Sequence, residues 1–242
     1  MQTSRWFLWS AALALIVVPC AAQTAIPAAG TVISVASSSA TENTILQAGS
    51  SIWNQALPKK VSLNRTPPLY DTDEPALPEI WTADVRVLRA GGKIYVQLSW
   101  HDNSRDAATL QPVPDSPPEK RFLKVPTEAG DRFFDAAAVM VPAQPGSPVN
   151  PSLQMGDPEH PVRIYYWNAV RGAMLMEARG RSTTQRTGQS FPAVSVFKNG
   201  YWAVTFEAPD LPSGTPMAFA IWNGSQKDRD GRKYFSVWYT VD

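Results

Sequence analysis

The chain has 242 residues, with 22 lysines and arginines against 21 aspartates and glutamates, two histidines and a single cysteine, Cys20. So even a balance removes the electrostatic drive for nucleic-acid binding or polybasic membrane attachment. One cysteine excludes a disulfide within the chain, thiolate zinc sites, iron–sulfur clusters and the C-x-x-C-H attachment of c-type haem.

Residues 1–22 read as an export signal. Arg5 supplies the positive start, Phe7 to Val18 the apolar stretch, and Cys20-Ala21-Ala22 a small-residue cleavage site before Gln23. The apolar run is too short for a membrane span, and no later stretch approaches the ~20 apolar residues one requires. A lipid anchor on Cys20 fits poorly after Pro19. Cleavage would remove the cysteine and Arg5, so 22 basic residues less one leaves 21, against 21 acidic ones. Residues 23–44 are rich in Ala, Ser and Thr and carry only Glu42, which reads as a flexible segment, with order expected from Ile45 onward in a single domain over 45–242.

Beyond that point the pattern is one of short strands. Val85 to Leu88 and Ile94 to Trp100 alternate around Gly91-Gly92, which predicts a hairpin over 84–100. Further strands are predicted over 136–141, 162–167, 174–178, 217–222 and 235–241. A second hairpin joins Val194–Phe197 to Tyr201–Phe206 through Asn199-Gly200, a pair suited to the positive φ of a two-residue turn. No stretch keeps helical periodicity beyond a turn or two. The expected fold is therefore all-β, an antiparallel sandwich of immunoglobulin-like type, with long connections over 102–132, 142–160 and 207–216 that are candidates for function.

Met155 lies in one of those connections, within Leu153-Gln154-Met155-Gly156-Asp157-Pro158. A loop methionine usually packs over a core edge. Held by Gly156 and Pro158, it could instead aim its thioether at a haem iron, the soft-metal site left open by the absence of usable cysteine. His160 is the nearest histidine, but neighbours five residues apart on one loop would struggle to reach opposite faces of a porphyrin. His101 beside Asp102 reads as a strand-end surface residue, since no nucleophile accompanies it. The Asp228/Asp230 pair is too sparse for a calcium loop.

Five segments then appear in register: Val85 to Trp100 followed by Asp102; Phe134-Asp135-Ala136-Ala137-Ala138-Val139 ending in Pro142; Gln154-Met155-Gly156-Asp157 leading into Val162 to Trp167; Gly200-Tyr201-Trp202; and Ala220-Ile221-Trp222 to Gly231-Arg232-Lys233. From Trp53 to Tyr239 the chain closely resembles the haem b subunit of the periplasmic type II molybdenum enzymes of the dimethyl sulfoxide reductase family. These are the gamma subunits of ethylbenzene dehydrogenase, dimethyl sulfide dehydrogenase, selenate reductase and chlorate reductase. The resemblance implies one non-covalent haem b held by a methionine and a lysine, which map onto Met155 and Lys233, with Lys227 in the same loop as the fallback. Asn223 departs from the aspartate expected in many relatives.

The resemblance also implies a soluble periplasmic subunit that relays single electrons and is not itself a catalyst. Its implied partners are a molybdenum-bearing alpha subunit, an iron–sulfur beta subunit and a soluble c-type cytochrome. Arg163, Arg232 and Lys227 are candidates to pair with haem propionates, and Phe133, Tyr166 and Trp222 to line the porphyrin. Two rival classes remain. One is a secreted carbohydrate-binding sandwich using Trp167, Trp202 and Trp222 as a platform, since fold alone does not fix function. The other is a scaffold subunit that has lost its cofactor.

Overall fold

The computed structural model describes residues 31–67, 79–107, 133–147 and 149–242. The proposed export signal and residues 108–132 of the first long connection fall outside them. Two sheets face one another. The larger has the order β1 (Val32–Ile33), β15 (Tyr239–Val241), β13 (Pro216–Trp222), β7 (Ala136–Pro142), β8 (Val162–Asn168), β9 (Gly172–Ala178), β10 (Gln185–Arg186); β14 (Tyr234–Phe235) also pairs with β13, and β4 (Asn64–Arg65) with β14. The smaller has the order β11 (Ala193–Lys198), β12 (Tyr201–Pro209), β6 (Lys93–His101), β5 (Thr82–Ala90), β2 (Val35–Ser37), with β3 (Lys59–Ser62) on β5.

Both predicted hairpins form. Ala90 pairs with Lys93 across Gly91-Gly92, and Lys198 with Tyr201 across Asn199-Gly200, with positive φ at all four turn residues. Two expectations need correction. Order begins well before Ile45: β1 and β2 add in parallel to β15 and β5, so the sandwich is not wholly antiparallel. The reason is burial, for Ile33 is fully enclosed and a sheet edge rewards β-branched Val32, Ile33 and Val35 whatever the polarity around them. The strand expected over 235–241 is broken at Ser236-Val237-Trp238. There Ser236 exchanges hydrogen bonds with the backbone of Phe219, while the Trp238 indole turns out to donate to Pro151 O at 3.0 Å.

Alternation along the strands divides the large sheet into two apolar faces. Val139 and Val141 of β7, Tyr165 and Trp167 of β8, and Phe219 and Ile221 of β13 point inward against Val85, Val87, Val96 and Leu98 of the small sheet. Ala136, Ala138 and Met140, then Val162 and Ile164, then Ala218 and Trp222 point the other way. A sheet face outside a sandwich is ordinarily polar. This one is covered instead by the connection from β7 to β8, whose Leu153 and Met155 pack onto it together with Trp238.

Candidate functional site

Met155 is held by its own backbone. It has φ of 74° and Gly156 has φ of 75°, a left-handed pair that a methionine seldom enters. Gly156 N–H donates to Ser152 O and Gly180 N–H to Met155 O, both at 2.8 Å, which ties the loop to the turn after β9. A Cβ at position 156 would lie 2.7 Å from His160 O, so the close approach requires glycine. Asp157 closes the same turn by accepting from the His160 backbone N–H at 2.8 Å, with the His160 ring Nδ1 at 2.9 Å from the same oxygen.

Lys233 arrives from the opposite end of the sequence. Ile221 pairs with Tyr234 and Ala220 with Phe235, so β14 continues the sheet and Lys233 meets the outward face beside Trp222. Lys233 N–H donates to Thr66 Oγ1 at 2.9 Å, and Thr66 N–H returns a bond to Lys233 O at 3.0 Å. The loop before it is anchored twice. Gly224 N–H donates to buried Asp135 at 3.0 Å, and Asp228 takes both nitrogens of Arg65 at 2.5 Å while also accepting from Asn223 N–H. Asn223 caps the intervening 3-10 turn, accepting from Ser225 N–H, and its amide donates to Glu79 at 3.1 Å.

Fixed in this way, Lys233 Nζ lies 4.0 Å from Met155 Sδ and 5.3 Å from the centroid of the Trp222 ring. Burial pushes the Lys233 pKa down, with Arg181 adding to the effect and Asp230 opposing it. An amine whose proton is disfavoured offers a lone pair, which a metal requires. Met155 Sδ sets a soft thioether beside that amine, so the two side chains together could hold a soft metal ion.

The two side chains stand over an apolar cleft of about 440 Å³, open mouth included, lined by Ala138, Met140, Ile164, Ala218, Ala220 and Trp222 among others. Its floor carries three small residues, Ala138, Ala218 and Ala220, on neighbouring strands, with the larger Met140 opposite Ala218. Alanines flanked by large side chains leave a flat recess that a planar macrocycle could occupy. Ala220→Phe should therefore fill the cleft from below and reduce uptake of such a group at least tenfold, while unfolding within a few degrees of the parent in a thermal melt.

No family model matches the chain. It is 31% identical over 172 residues, 66% of this chain and 55% of the other, to a protein of Haloferax mediterranei named for a respiratory nitrate reductase heme subunit. It is 29% identical over 172 residues, 63% and 57%, to the gamma subunit of dimethylsulfide dehydrogenase of Rhodovulum sulfidophilum. With the gamma subunit of chlorate reductase of Ideonella dechloratans the identity is 27% over 239 residues, 91% of this chain and 88% of that one. The chain is thus similar to one protein named a heme subunit and to two named gamma subunits. Its matched stretch spans little more than half the length of the first two.

Among these homologous features, the structure sorts the residues singled out in the sequence. Met155 and Lys233 come together. Lys227 is exposed, with φ of 57° at the end of the 3-10 turn. Arg163 lies on the other face of the sheet, paired in register with Val141 and Glu177 and bonded to Glu177 at 3.2 Å. Arg232 approaches Asp228 at 3.7 Å. Phe133, Tyr166 and Trp222 line a neighbouring hollow, and Tyr166 meets Trp222 edge-on at 5.3 Å. Trp167 and Trp202 are core residues, 5.0 Å apart, so the carbohydrate platform is not on the surface. His101 contacts Tyr201 edge-on at the end of β6. No cluster of three His, Cys, Asp or Glu suited to a metal occurs among the described residues.

Sequence reasoning missed two features. The alanine floor could have been found from Ala136, Ala138, Ala218 and Ala220, whose period of two places small residues on one face of two strands. Asp135 had no such signal. It is fully buried and accepts from Trp202 Nε1 at 2.9 Å, Asp106 N–H at 2.7 Å and Gly224 N–H, joining the small sheet to the start of the Lys233 loop. Burial, with Asp102 close by, pushes its pKa up to about 7 against those donors.

Proposed function

We propose that the chain binds one non-covalent haem b on the outward face of its larger sheet and serves as an exported, periplasmic electron-relay subunit of a molybdenum oxidoreductase. The observation that carries this reading is the 4.0 Å approach of Lys233 Nζ to Met155 Sδ above the alanine floor. The relatives' names support it, since one is called a heme subunit and two are gamma subunits of a dehydrogenase and a reductase. When bound, the haem supplies a one-electron iron couple. Met155 and Lys233 would hold the iron, and Ala138, Ala218 and Ala220 would seat the ring against the sheet. Trp222 and the β7–β8 connection would exclude water.

Met155 would offer the haem a soft thioether and Lys233 an amine, and the group would supply one-electron transfer and not substrate chemistry. The subunit's partners in this reading are a molybdenum-bearing alpha subunit, an iron–sulfur beta subunit and a soluble c-type cytochrome. No helix among the described residues is long and apolar enough to cross a membrane.

The test is the purified exported chain. It should be red and release one equivalent of haem b into acid-acetone, because no cysteine is available to tether a vinyl group. A colourless protein after expression with ample haem, or haem that stays with the polypeptide on extraction, would overturn the reading.

A further inference from the structure

From Ala178 to Phe206 the sequence contains no aspartate or glutamate but carries Arg179, Arg181, Arg186 and Lys198. The three arginines lie on the β9–β10 hairpin and are all exposed. None pairs with a carboxylate among the described residues, and the nearest acid in sequence, Glu177, is engaged by Arg163. In a chain of almost balanced charge, this is a concentration of exposed cation on one hairpin, without a carboxylate partner among the described residues.

The hairpin is ordered and sits beside the cleft. Thr183 Oγ1 donates to Gly180 O at 2.6 Å and accepts from Arg179 N–H at 2.8 Å, which fixes the turn. Gly180 N–H in turn holds Met155 O at 2.8 Å. Arg181 is near enough to Lys233 for its charge to act on that amine. Arg186 pairs with Met176, so it shares the outward face on which the cleft lies. β10 is the terminal strand of the sheet, and no other described strand pairs with its outer edge. A strand of two residues presents little backbone to guard against wrong pairing, so edge protection does not account for three arginines.

We propose that the arginine hairpin is the docking surface for an acidic face of the protein that exchanges electrons with this cleft. Arginine is enriched at interfaces, and opposite charge steers partners into register and speeds their encounter. The electron exchange rests on the function proposed above, whereas recognition of an anionic surface does not.

The test uses hexaglutamate as an anionic probe, titrated into the purified ¹⁵N-labelled chain at low ionic strength. Amide shifts should concentrate on Gly180, Ser182, Thr183 and Arg186. The triple variant Arg179→Glu/Arg181→Glu/Arg186→Glu should weaken binding at least tenfold, the triple glutamine variant should fall between, and Lys59→Glu/Lys60→Glu should change nothing. Salt near 0.2 M should weaken the parent's binding, as screening demands. Shifts centred on Lys59, Lys60 or Lys198, or equal binding by the reversed variant, would overturn the proposal. Haem uptake, followed at the Soret band, should be the same in the parent and in Arg179→Glu/Arg186→Glu, which leaves Arg181 and its charge on Lys233 in place. Uptake lost in that double variant would assign the hairpin to the cofactor and overturn the docking surface. A parent that takes up no haem yet binds hexaglutamate at the hairpin would sink the haem reading and leave anionic docking standing.

Discussion

Lys233→Ala and Met155→Ala should each reduce haem affinity at least tenfold, and any haem that remains should lose the near-infrared magnetic circular dichroism band of a methionine–amine pair. A tenfold change corresponds to about 1.4 kcal/mol of binding, the loss expected if these side chains hold the iron as proposed. Lys227→Ala and His160→Ala are the controls. Lys227 is exposed on a turn, and the His160 ring is turned toward Asp157, so both should keep the parent spectrum. A parent-like band in Lys233→Ala, with its loss in Lys227→Ala, would transfer the role to Lys227.

Acid acts in the same direction as Lys233→Ala. Burial lowers the Lys233 pKa below its ordinary 10.5, so between the lowered native value and 10.5 the unfolded chain binds the extra proton. Stability contributed by this group therefore rises with pH through that window and is lost as pH falls. Protonating the amine also removes the lone pair, so haem should be released progressively as the solution is made acid.

Asp228→Ala should be the most destabilising single change in the loop that carries Lys233. Asp228 has no exposed side-chain surface and Arg65 keeps 13%, and they share two hydrogen bonds of 2.5 Å. Removing one partner of a buried pair leaves the other charge without solvent or counter-ion, which costs about 3–5 kcal/mol. Asn223 N–H loses its acceptor as well. In a domain of this size the melting midpoint should fall by roughly 10 °C. The exposed pair Lys60–Asp84, at 68% and 39% side-chain exposure, gives the contrast. Asp84→Ala should cost no more than about 1 kcal/mol. The double variant Arg65→Ala/Asp228→Ala should be more stable than the sum of its parts implies, because it buries no orphaned charge. Equal melts for Asp228→Ala and Asp84→Ala would show that the buried pair contributes nothing special.

Local chemistry determined much of this protein from sequence alone. Alternation over 93–101 and 201–209 and the Gly-Gly and Asn-Gly turns specify their hairpins without help from distant residues, since side-chain period and positive φ are properties of neighbours. Met155 stood out for the same reason, as a long apolar side chain placed just before Gly156 and Pro158. The choice between Lys233 and Lys227 came from family resemblance, because both are basic residues in one loop and no local rule separates them.

Tertiary structure decided the rest. The period of two groups Ala136 with Ala138 and Ala218 with Ala220, but only the sheet register reveals that the two pairs share one face, that this face points away from the sandwich core, and that Met155 of the β7–β8 connection arrives over it beside Lys233. Burial likewise separates Trp167 and Trp202 inside from the exposed positions a sugar platform would need, although their sequence neighbourhoods look alike. Parallel addition of β1 and β2 was hidden because Val32, Ile33 and Val35 are short of any pattern by themselves. They become strands where β15 and β5 offer unpaired edges, and hydrogen bonds between segments some 50 to 200 residues apart leave no local mark on the sequence.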